Sequence, residues 1–231
     1  MIGIIGAMDI EVERLLKEMD GARKRTVSGR DFYEGALRGQ PVVVVRSGVG
    51  KVNAAMCAEA LILNYEPELV INTGVAGALT GRLRIGDIAV ARDLVQHDVD
   101  TSAFGDPFGL VSTVNRLEFP CAEWAVEGLL DAIAAQKPLR GVAVRIATGD
   151  QFINDGAVKK RIVDRFGADV CEMEGCAIAQ VCFINGVDCA VIRAISDATD
   201  GAHVEDYGRF CAIAAEHSAR ILMKFLENRD K

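Results

Sequence analysis

Uninterrupted apolar runs are the most regular feature of the chain, and they predict buried β-strands. Short runs of this kind, bounded by polar turns, are typical of strands that are covered on both faces of a parallel sheet. We predict such strands at residues 1–6, 69–72, 86–95, 141–147, 169–171 and 189–192. Residues 32–37 and 41–47 are joined by only three residues, which predicts an antiparallel pair. The sheet is therefore expected to be mixed.

Apolar positions recur at helical spacing between these strands. Val12, Leu15 and Met19 define a first helix over residues 10–19, with Asp9 as its expected N-cap residue. Further helices are predicted at residues 52–64, 122–136, 157–166 and 210–226, and loops at 101–116 and 198–206. This alternation predicts a three-layer α/β/α fold around a mixed, twisted central sheet, formed by a single domain of residues 1–231.

Composition favours a small-molecule ligand. The net charge is −7 with no basic stripe, which argues against nucleic acid and anionic membranes as partners. The mean hydropathy of +0.20 provides for a large core, although no apolar run approaches the length of a membrane span. Seven cysteines without a Cys-x-x-Cys motif and three scattered histidines predict free thiols in a reducing compartment and no metal site. Because the chain starts without a signal-peptide pattern, we expect a cytoplasmic protein.

Two acidic motifs follow predicted strands. Glu174 comes after residues 169–171, and Arg193 and Asp197 come at the end of residues 189–192. Ligands of open α/β sheets bind beyond the carboxyl ends of the strands, so these three side chains are candidates to meet in one pocket. Two carboxyl groups, one that binds sugar hydroxyls and one that is held protonated, suit the cleavage of a glycosidic bond. The alternative from the spacing alone is that the acids cap the following helices.

The turn Gly48-Val49-Gly50-Lys51 resembles two nucleotide-binding loops without matching either. Val52 stands where a Walker A loop requires Ser or Thr, and no Gly stands at the opening position of that motif. Asn53 stands where the dinucleotide fingerprint requires its third Gly, which disfavours a dehydrogenase. Backbone N–H groups of the turn can still approach a ligand.

Several ordered motifs along nearly the whole chain carry a family resemblance. They are Ile4-Ile5-Gly6-Ala7-Met8, Ser47-Gly48-Val49-Gly50-Lys51-Val52, Ile71-Asn72-Thr73-Gly74, His97-Asp98, Gly149-Asp150-Gln151-Phe152-Ile153-Asn154, Glu172-Met173-Glu174 and Arg193-Ala194-Ile195-Ser196-Asp197. With these motifs the chain resembles the purine nucleoside phosphorylase and nucleosidase superfamily, most closely its 5'-methylthioadenosine/S-adenosylhomocysteine nucleosidases. The resemblance implies hydrolysis of the N9–C1' bond of those nucleosides, a role in methionine salvage and no cofactor. It also implies a homodimer in which residues 101–116 line the partner's 5'-alkylthio pocket.

The resemblance assigns roles to the acidic residues. Glu11 matches the residue that activates water, although its position alone would suit a complement to the helix dipole. Asp197 would hold or donate the proton at adenine N7, which requires a raised pKa. Glu174 would bind ribose hydroxyls and stabilise an oxocarbenium-like transition state, with Arg193 orienting Glu174 or the water. His97 is expected to be a structural histidine bonded to a neighbouring acid.

The remaining implied contacts are with the rest of the nucleoside. Phe152 would stack on adenine, although a Phe at a strand end is otherwise typical of the core, and backbone groups of Ile153 would read the edge of the base. Met173 would pack under the sugar, and Tyr207 would lie near the ribose. Three residues in or directly after these motifs complete the predicted substrate-binding set: Met8, Val75 and Ser196.

Two positions bear on the nucleophile. Phosphorylases of the superfamily commonly carry an Arg and a Ser where this chain has Asn72 and Val75, so a phosphate dianion would lack charge-assisted partners here. We therefore expect water as the nucleophile, without the hydrogen bond that a Ser at position 75 gives other nucleosidases. Residues 104–116 keep the aromatic and proline pattern of the family only in part, which leaves the 5' substituent open. The alternatives are 6-amino-6-deoxyfutalosine, 5'-deoxyadenosine, a phosphorylase or a nucleoside-binding protein without activity.

Overall fold

Strands and helices alternate along the chain. The computed structural model describes residues 1–197 and 207–229, apart from the side chains of 197 and 207–210. The strands are β1 (Ile2–Gly6), β2 (Asp20–Val27), β3 (Arg30–Leu37), β4 (Gln40–Arg46), β5 (Leu69–Ala78), β6 (Ile88–Gln96), β7 (Glu118–Pro120), β8 (Gly141–Thr148), β9 (Val170–Glu172) and β10 (Asp188–Asp197). The helices are α1 (Asp9–Lys17), α2 (Lys51–Tyr65), α3 (Glu123–Ala134), α4 (Gly156–Phe166), α5 (Gly175–Asn185) and α6 (Tyr207–Asn228). The predicted loop at 198–206 lies outside the described residues.

The strands form one mixed sheet in the order β10-β6-β8-β9-β5-β1-β4-β3-β2, with β7 beside β6. β1 lies parallel between β4 and β5, so that Ile4 pairs with Val44 on one side and Ile71 on the other. The expected antiparallel pair is β3 and β4. β5 also pairs with β10, so the twist of the sheet closes β5, β9, β8, β6 and β10 into a ring. The prediction of a mixed, twisted sheet is confirmed.

Helices cover both faces of the sheet. α1, α3 and α6 pack together on one side, and α2 and α5 pack against each other on the other. Every residue of β1 is buried, because an interior strand between two helical layers has no solvent face. The three-layer arrangement is therefore as predicted. In the described part of the chain, no helix has both the length and the apolar composition of a membrane span.

The start of α1 differs from the prediction. The helix begins at Asp9 itself, Met8 is the N-cap residue, and Asp9 is exposed and paired with Arg46 at 2.8 Å. The N–H groups of Ala7 and Met8 instead donate to the Glu11 carboxylate, at 2.7 and 3.0 Å. A Glu at the third helical position can reach back to these groups, whereas the shorter Asp9 side chain turns to solvent. The expected Asp9 cap is wrong.

Strand β2 was not predicted. It forms a hairpin with β3 through Ser28 and Gly29, whose φ angles of 50° and 72° suit a two-residue type I′ turn. Its side chains are almost all exposed, so it lies at the edge of the sheet without a core-facing apolar row. A strand with two polar faces leaves no hydrophobic period to detect.

The strands that lead into the two acidic motifs converge on β5. β10 runs parallel to β5 and pairs Ile195 with Ala76, whereas β9 runs antiparallel to β5 and pairs Cys171 with Gly77. We predicted both as parallel strands; β9 is parallel only to β8, because the closed ring brings it back across the end of β5. Both acidic motifs therefore lie beside the C-terminal half of β5.

Candidate active site

A cleft opens beside the C-terminal half of β5, where β1, β9 and β10 end. Most of the predicted site residues line this cleft: Met8, Glu11, Val75, Phe152, Ile153, Met173, Glu174 and Ser196. Arg193 lies beneath the lining as a fully buried side chain. The side chains of Asp197 and Tyr207 lie outside the described residues; their backbones are placed at the end of β10 and the start of α6.

Glu11 is held at the start of α1 with both carboxylate oxygens engaged. One oxygen accepts from the N–H groups of Ala7 and Met8, and the other accepts from the N–H of Val75 at 3.3 Å. Burial raises the pKa of Glu11, and Arg193 and the backbone donors offset only part of that effect. The side chain therefore caps its helix and also presents a buried carboxyl of raised pKa to the cleft. Such a group is suited to accept a proton from a bound water.

Gly74 allows Glu11 and Arg193 to meet over β5. A Cβ atom at position 74 would lie 2.6 Å from Glu11 Oε1 and 3.0 Å from Arg193 Nη1. Glycine inside a strand often marks such a close approach. Any larger residue would push the carboxyl and the guanidinium apart.

Glu172 is the ion-pair partner of Arg193. Its carboxylate is buried and accepts from Arg193 Nη2, from Thr148 Oγ1, and from the N–H groups of Glu174 and Gly175 at 2.9 and 2.7 Å. Although burial works against ionisation, Arg193 and these donors hold the pKa of Glu172 below its ordinary value. Glu172 is thus a charged anchor for Arg193 and for the first turn of α5.

Glu174 occupies a different environment two residues later. Its Oε1 accepts from the N–H of Gly50 at 2.8 Å, and its Oε2 lies 3.7 Å from Arg193 Nη2. Burial, followed by the charge of Glu172, raises the pKa of Glu174 to about 7. Glu174 therefore titrates near neutral pH, and a positive charge placed beside it would favour the ionised form.

Asn72 lies behind the cleft. It is fully buried, its Nδ2 donates to the carbonyl of Ile5 at 2.9 Å, and its Oδ1 accepts from Arg193 Nη2. It helps to fix the guanidinium between the acidic side chains. Among the described residues that line the cleft, none is Lys or Arg, so a dianion would find no cationic side chain at this surface.

The comparisons with known proteins agree with this geometry. A model of the phosphorylase superfamily matches residues 1–227. A 5'-methylthioadenosine/S-adenosylhomocysteine nucleosidase of Shewanella sp. (strain MR-7) is 40% identical over 230 residues, which is 99% of this chain and 97% of that protein. The chain belongs to this nucleosidase family within the phosphorylase superfamily.

Solved structures of similar proteins extend the match to the fold. The nucleosidase of this family from Neisseria meningitidis, in complex with methylthio-immucillin-A, has a TM-score of 0.93 and 31% identity, with 98% of each chain covered. A futalosine hydrolase of Helicobacter pylori has a TM-score of 0.91 and 33% identity, covering 98% of this chain and 97% of that one. Family membership and fold are therefore shown together.

Phe152 and Ile153 face the cleft from the loop after β8. The Phe152 side chain is 60% exposed, so it is not the core residue that a Phe at a strand end otherwise suggests. Ile153 is buried beside it, and both residues line the cleft. An exposed ring at the mouth of a cleft is available to stack on a flat ligand.

The family resemblance pointed to Glu174 and gave no role to Glu172. The capping alternative considered for the acidic motifs is correct for Glu172, which accepts the N–H groups at the start of α5. An acid just before the first turn of a helix commonly caps it, but the residue directly before Gly175 is Glu174, whose side chain makes no cap hydrogen bond, and Glu172 lies two residues further back. The sequence contains no sign of the ion pair between Glu172 and Arg193, because Arg193 lies on a different strand.

His97 and Lys51 lie on the far side of the Gly50 turn. Asp98 was the expected partner of His97, but its carboxylate accepts from Lys51 Nζ at 2.6 Å and from the N–H of Asp150 at 2.9 Å. His97 is buried, and no described residue is placed to hydrogen-bond its Nε2. Burial lowers the pKa of His97 and favours the neutral ring. The expected bond to an acid is therefore wrong, because the lysine ammonium takes the carboxylate.

Proposed function

We propose that the protein hydrolyses the N-glycosidic bond of 5'-methylthioadenosine and S-adenosylhomocysteine and releases adenine and the 5-thioribose product. The observation that carries the proposal is the arrangement of Glu11 and Glu174, two buried carboxyl groups of raised pKa that share Arg193 and line one cleft. Relatives that are about 40% identical over nearly the whole chain are nucleosidases for these substrates.

Adenine is assigned to the Phe152 side of the cleft. The exposed ring offers a stacking surface, and Ile153 supplies backbone groups for the edge of the base. Asp197 is the last residue of β10 and is proposed to hold the proton at adenine N7. With N7 protonated, adenine leaves as a neutral base when it takes the electron pair of the N9–C1' bond.

The sugar is assigned to the Glu174 side. As the N9–C1' bond breaks, positive charge grows on the ribose ring, and an ionised Glu174 stabilises this charge most strongly in the transition state. Met173 lines the same part of the cleft and packs under the sugar. The buried Glu172–Arg193 pair keeps Glu174 next to a fixed guanidinium.

Water completes the reaction. Glu11 takes one proton from the water as its oxygen bonds to C1', which leaves the sugar with a hydroxyl group and Glu11 with the proton. The cleft supports water over phosphate, because its described lining offers no Lys or Arg and Asn72 is occupied by Ile5 and Arg193. Val75 contributes its backbone N–H to Glu11 and has no hydroxyl for the water.

A homodimer is part of the proposal. Helix α2 presents Val52, Met56 and Leu63 to solvent on one face, and the neighbouring α5 adds Phe183 and Ile184. Exposed apolar side chains clustered on packed helices are typical of a protein interface. A second copy of the chain covers this face in the proposed assembly.

The proposed location is the cytoplasm. All seven cysteines are free and buried, which suits a compartment where thiols stay reduced. The products would then serve methionine salvage in that compartment.

The second candidate substrate is 6-amino-6-deoxyfutalosine. It is favoured by the similarity to the Helicobacter pylori futalosine hydrolase, which is as close to this chain in fold as several nucleosidases are. The same carboxyl groups would act on it, because the scissile bond and the 6-aminopurine leaving group are shared with 5'-methylthioadenosine. 5'-Deoxyadenosine remains a further substrate of the same type.

Adenine release by the purified protein tests the proposal. Release from 5'-methylthioadenosine and S-adenosylhomocysteine in phosphate-free buffer is expected, with kcat/KM above that for 6-amino-6-deoxyfutalosine and 5'-deoxyadenosine. The matched variants are Glu11→Gln, which should lose activity, and Glu13→Gln on the exposed face of the same helix, which should keep it. Release that requires phosphate would move the protein to the phosphorylases, and no release from any substrate would leave a binding role.

A further inference from the structure

The N-terminus of α2 is capped by acidic side chains from other parts of the chain. Gly50 is its N-cap residue, with φ of 93°, and has no side chain to satisfy the free N–H groups of the first turn. The N–H of Gly50 donates to Glu174 at 2.8 Å, and the N–H of Lys51 donates to Asp150 Oδ1 at 2.7 Å. One of the two caps is therefore a proposed reactive carboxyl.

The Lys51 side chain ties this turn to two further loops. Its Nζ donates to Asp98 Oδ1 at 2.6 Å and to Gln96 Oε1 at 2.9 Å, at the end of β6. The other Asp98 oxygen accepts from the N–H of Asp150 at 2.9 Å, after the end of β8. Lys51 and Asp98 are each only 18% exposed, so solvent screens their ion pair weakly. Lys51, Asp98 and Asp150 thus form a closed set of contacts, here called the loop clamp.

We propose that the loop clamp positions the Gly50 N–H against Glu174 and so keeps this carboxyl oriented toward the sugar. The inference rests on the proposed function, since it concerns a carboxyl assigned to that reaction. Lys51, Asp98 and Asp150 act through Gly50 and are positioning residues. None of them lines the part of the cleft that is assigned to the nucleoside.

Glu174 depends strongly on this one donor. Among the described residues, the Gly50 N–H is the only hydrogen-bond donor placed on the Glu174 carboxyl, because the short contacts of Arg193 go to Glu172 and Asn72. The charged groups that face Glu174 are Glu172 from β9, Arg193 from β10 and Glu11 from α1. These charges stay unchanged when the clamp is altered. Loss of the Gly50 donor should therefore act on Glu174 alone and disfavour its ionised form.

Lys51→Met tests the clamp, because it removes the ammonium and keeps a stem of similar length. Loss of a hydrogen bond to a charged group corresponds to a change of about ten- to a hundredfold in an equilibrium or rate constant. We therefore expect kcat for adenine release at pH 7 to fall by about tenfold or more, with KM changed less. The acid limb of the kcat profile should move to higher pH. Asp98→Asn should have the same effect, and the double variant should be no slower than either single variant, since both break one pair. Lys160→Met, which removes an exposed lysine paired with Asp164, is the control and should match the wild type.

The backbone amide of Gly50 provides a readout that does not need turnover. In the wild type its NMR shift should titrate with Glu174 near pH 7, and in Lys51→Met the midpoint should rise or the amplitude fall. A pH profile and a Gly50 titration that superimpose on the wild type, even with a lower melting temperature, would overturn the proposal and leave the clamp a purely structural feature. A wild-type protein that shows the Gly50 titration but releases no adenine would instead remove the proposed function and keep the clamp.

Discussion

The pKa of Glu174 leads to a quantitative prediction for the pH dependence of turnover. Burial and the neighbouring Glu172 charge raise this pKa to about 7, and the proposed mechanism requires the ionised carboxylate. For a group with that pKa, the ionised fraction falls from about 0.9 at pH 8 to about 0.1 at pH 6. We therefore expect kcat to fall about tenfold over this range. The raised pKa of Glu11, which must also be ionised to act as a base, works in the same direction.

The assay is the initial rate of adenine release at saturating 5'-methylthioadenosine between pH 5.5 and 9. Circular dichroism at each pH, together with recovery of full activity after return to pH 8, separates titration from unfolding. Glu174→Gln serves as the matched variant, because the amide keeps the shape and does not titrate. Its rate should be lower at pH 8, and the step near pH 7 should be reduced to the part that belongs to Glu11.

Two results would refute this reasoning. A rate that is constant, or that rises, as the pH is lowered from 8 to 6 would show that the ionised form of Glu174 is not required. An acid limb of the same midpoint and depth in Glu174→Gln would assign the titration to another group. A basic limb at higher pH is compatible with the account, because the proton assigned to Asp197 is lost there.

Three further predictions concern single substitutions. Glu11→Gln and Asp197→Asn should each lower kcat by about 10²–10⁴-fold while calorimetry still detects nucleoside binding, and full activity in either variant would sink its assigned role. Glu172→Gln should lower the free energy of unfolding in urea by about 3–5 kcal/mol, because it leaves Arg193 without its buried partner. The exposed Glu13→Gln should change it by about 0.5 kcal/mol or less, so equal losses would contradict the ion-pair argument. Phe152→Ala should raise KM about tenfold or more with little change in kcat, as loss of base stacking implies; an unchanged KM would remove Phe152 from the adenine site.

The buried elements of the fold could be predicted from the sequence, because burial leaves a recognisable pattern of apolar residues. β1 and the first part of β5 are continuous apolar runs, and interior strands of a covered sheet require such runs. β2 was not predicted because both of its faces are exposed to solvent. The closure of β10 onto β5 also escaped, because strand order depends on twist and long-range pairing that a local pattern does not encode.

The site was predictable to the extent that its residues follow strands. Polar residues at the ends of apolar runs marked Glu174 and Arg193, and the structure brings them to within 3.7 Å, although Arg193 lies inside β10 rather than after it. The different roles of Glu172 and Glu174 were not predictable, since both are acids that follow the same apolar run. The two carboxylates differ in their hydrogen-bond donors, which come from other parts of the chain. Thr148 and Arg193 donate to Glu172, whereas the Gly50 N–H donates to Glu174.

The hydrogen-bond partners of Asp9, Glu11 and His97 also could not be predicted from the sequence. Asp9 has the better N-cap residue type, but Glu11 reaches the free N–H groups because it lies one turn into the helix. His97 stands next to an acid in sequence, yet that acid pairs with Lys51 from a different loop. In both cases the outcome was decided by competition between partners in space.

The central claim is that water attacks C1' of the nucleoside. The most direct test is to run the reaction with 5'-methylthioadenosine in phosphate-free buffer made with ¹⁸O-labelled water. The mass of the sugar product is then measured by mass spectrometry. The account predicts free adenine and a methylthioribose that carries ¹⁸O in place of ¹⁶O at C1', even when phosphate is added. A product that appears only with phosphate, as the sugar 1-phosphate and without the label at C1', would contradict it.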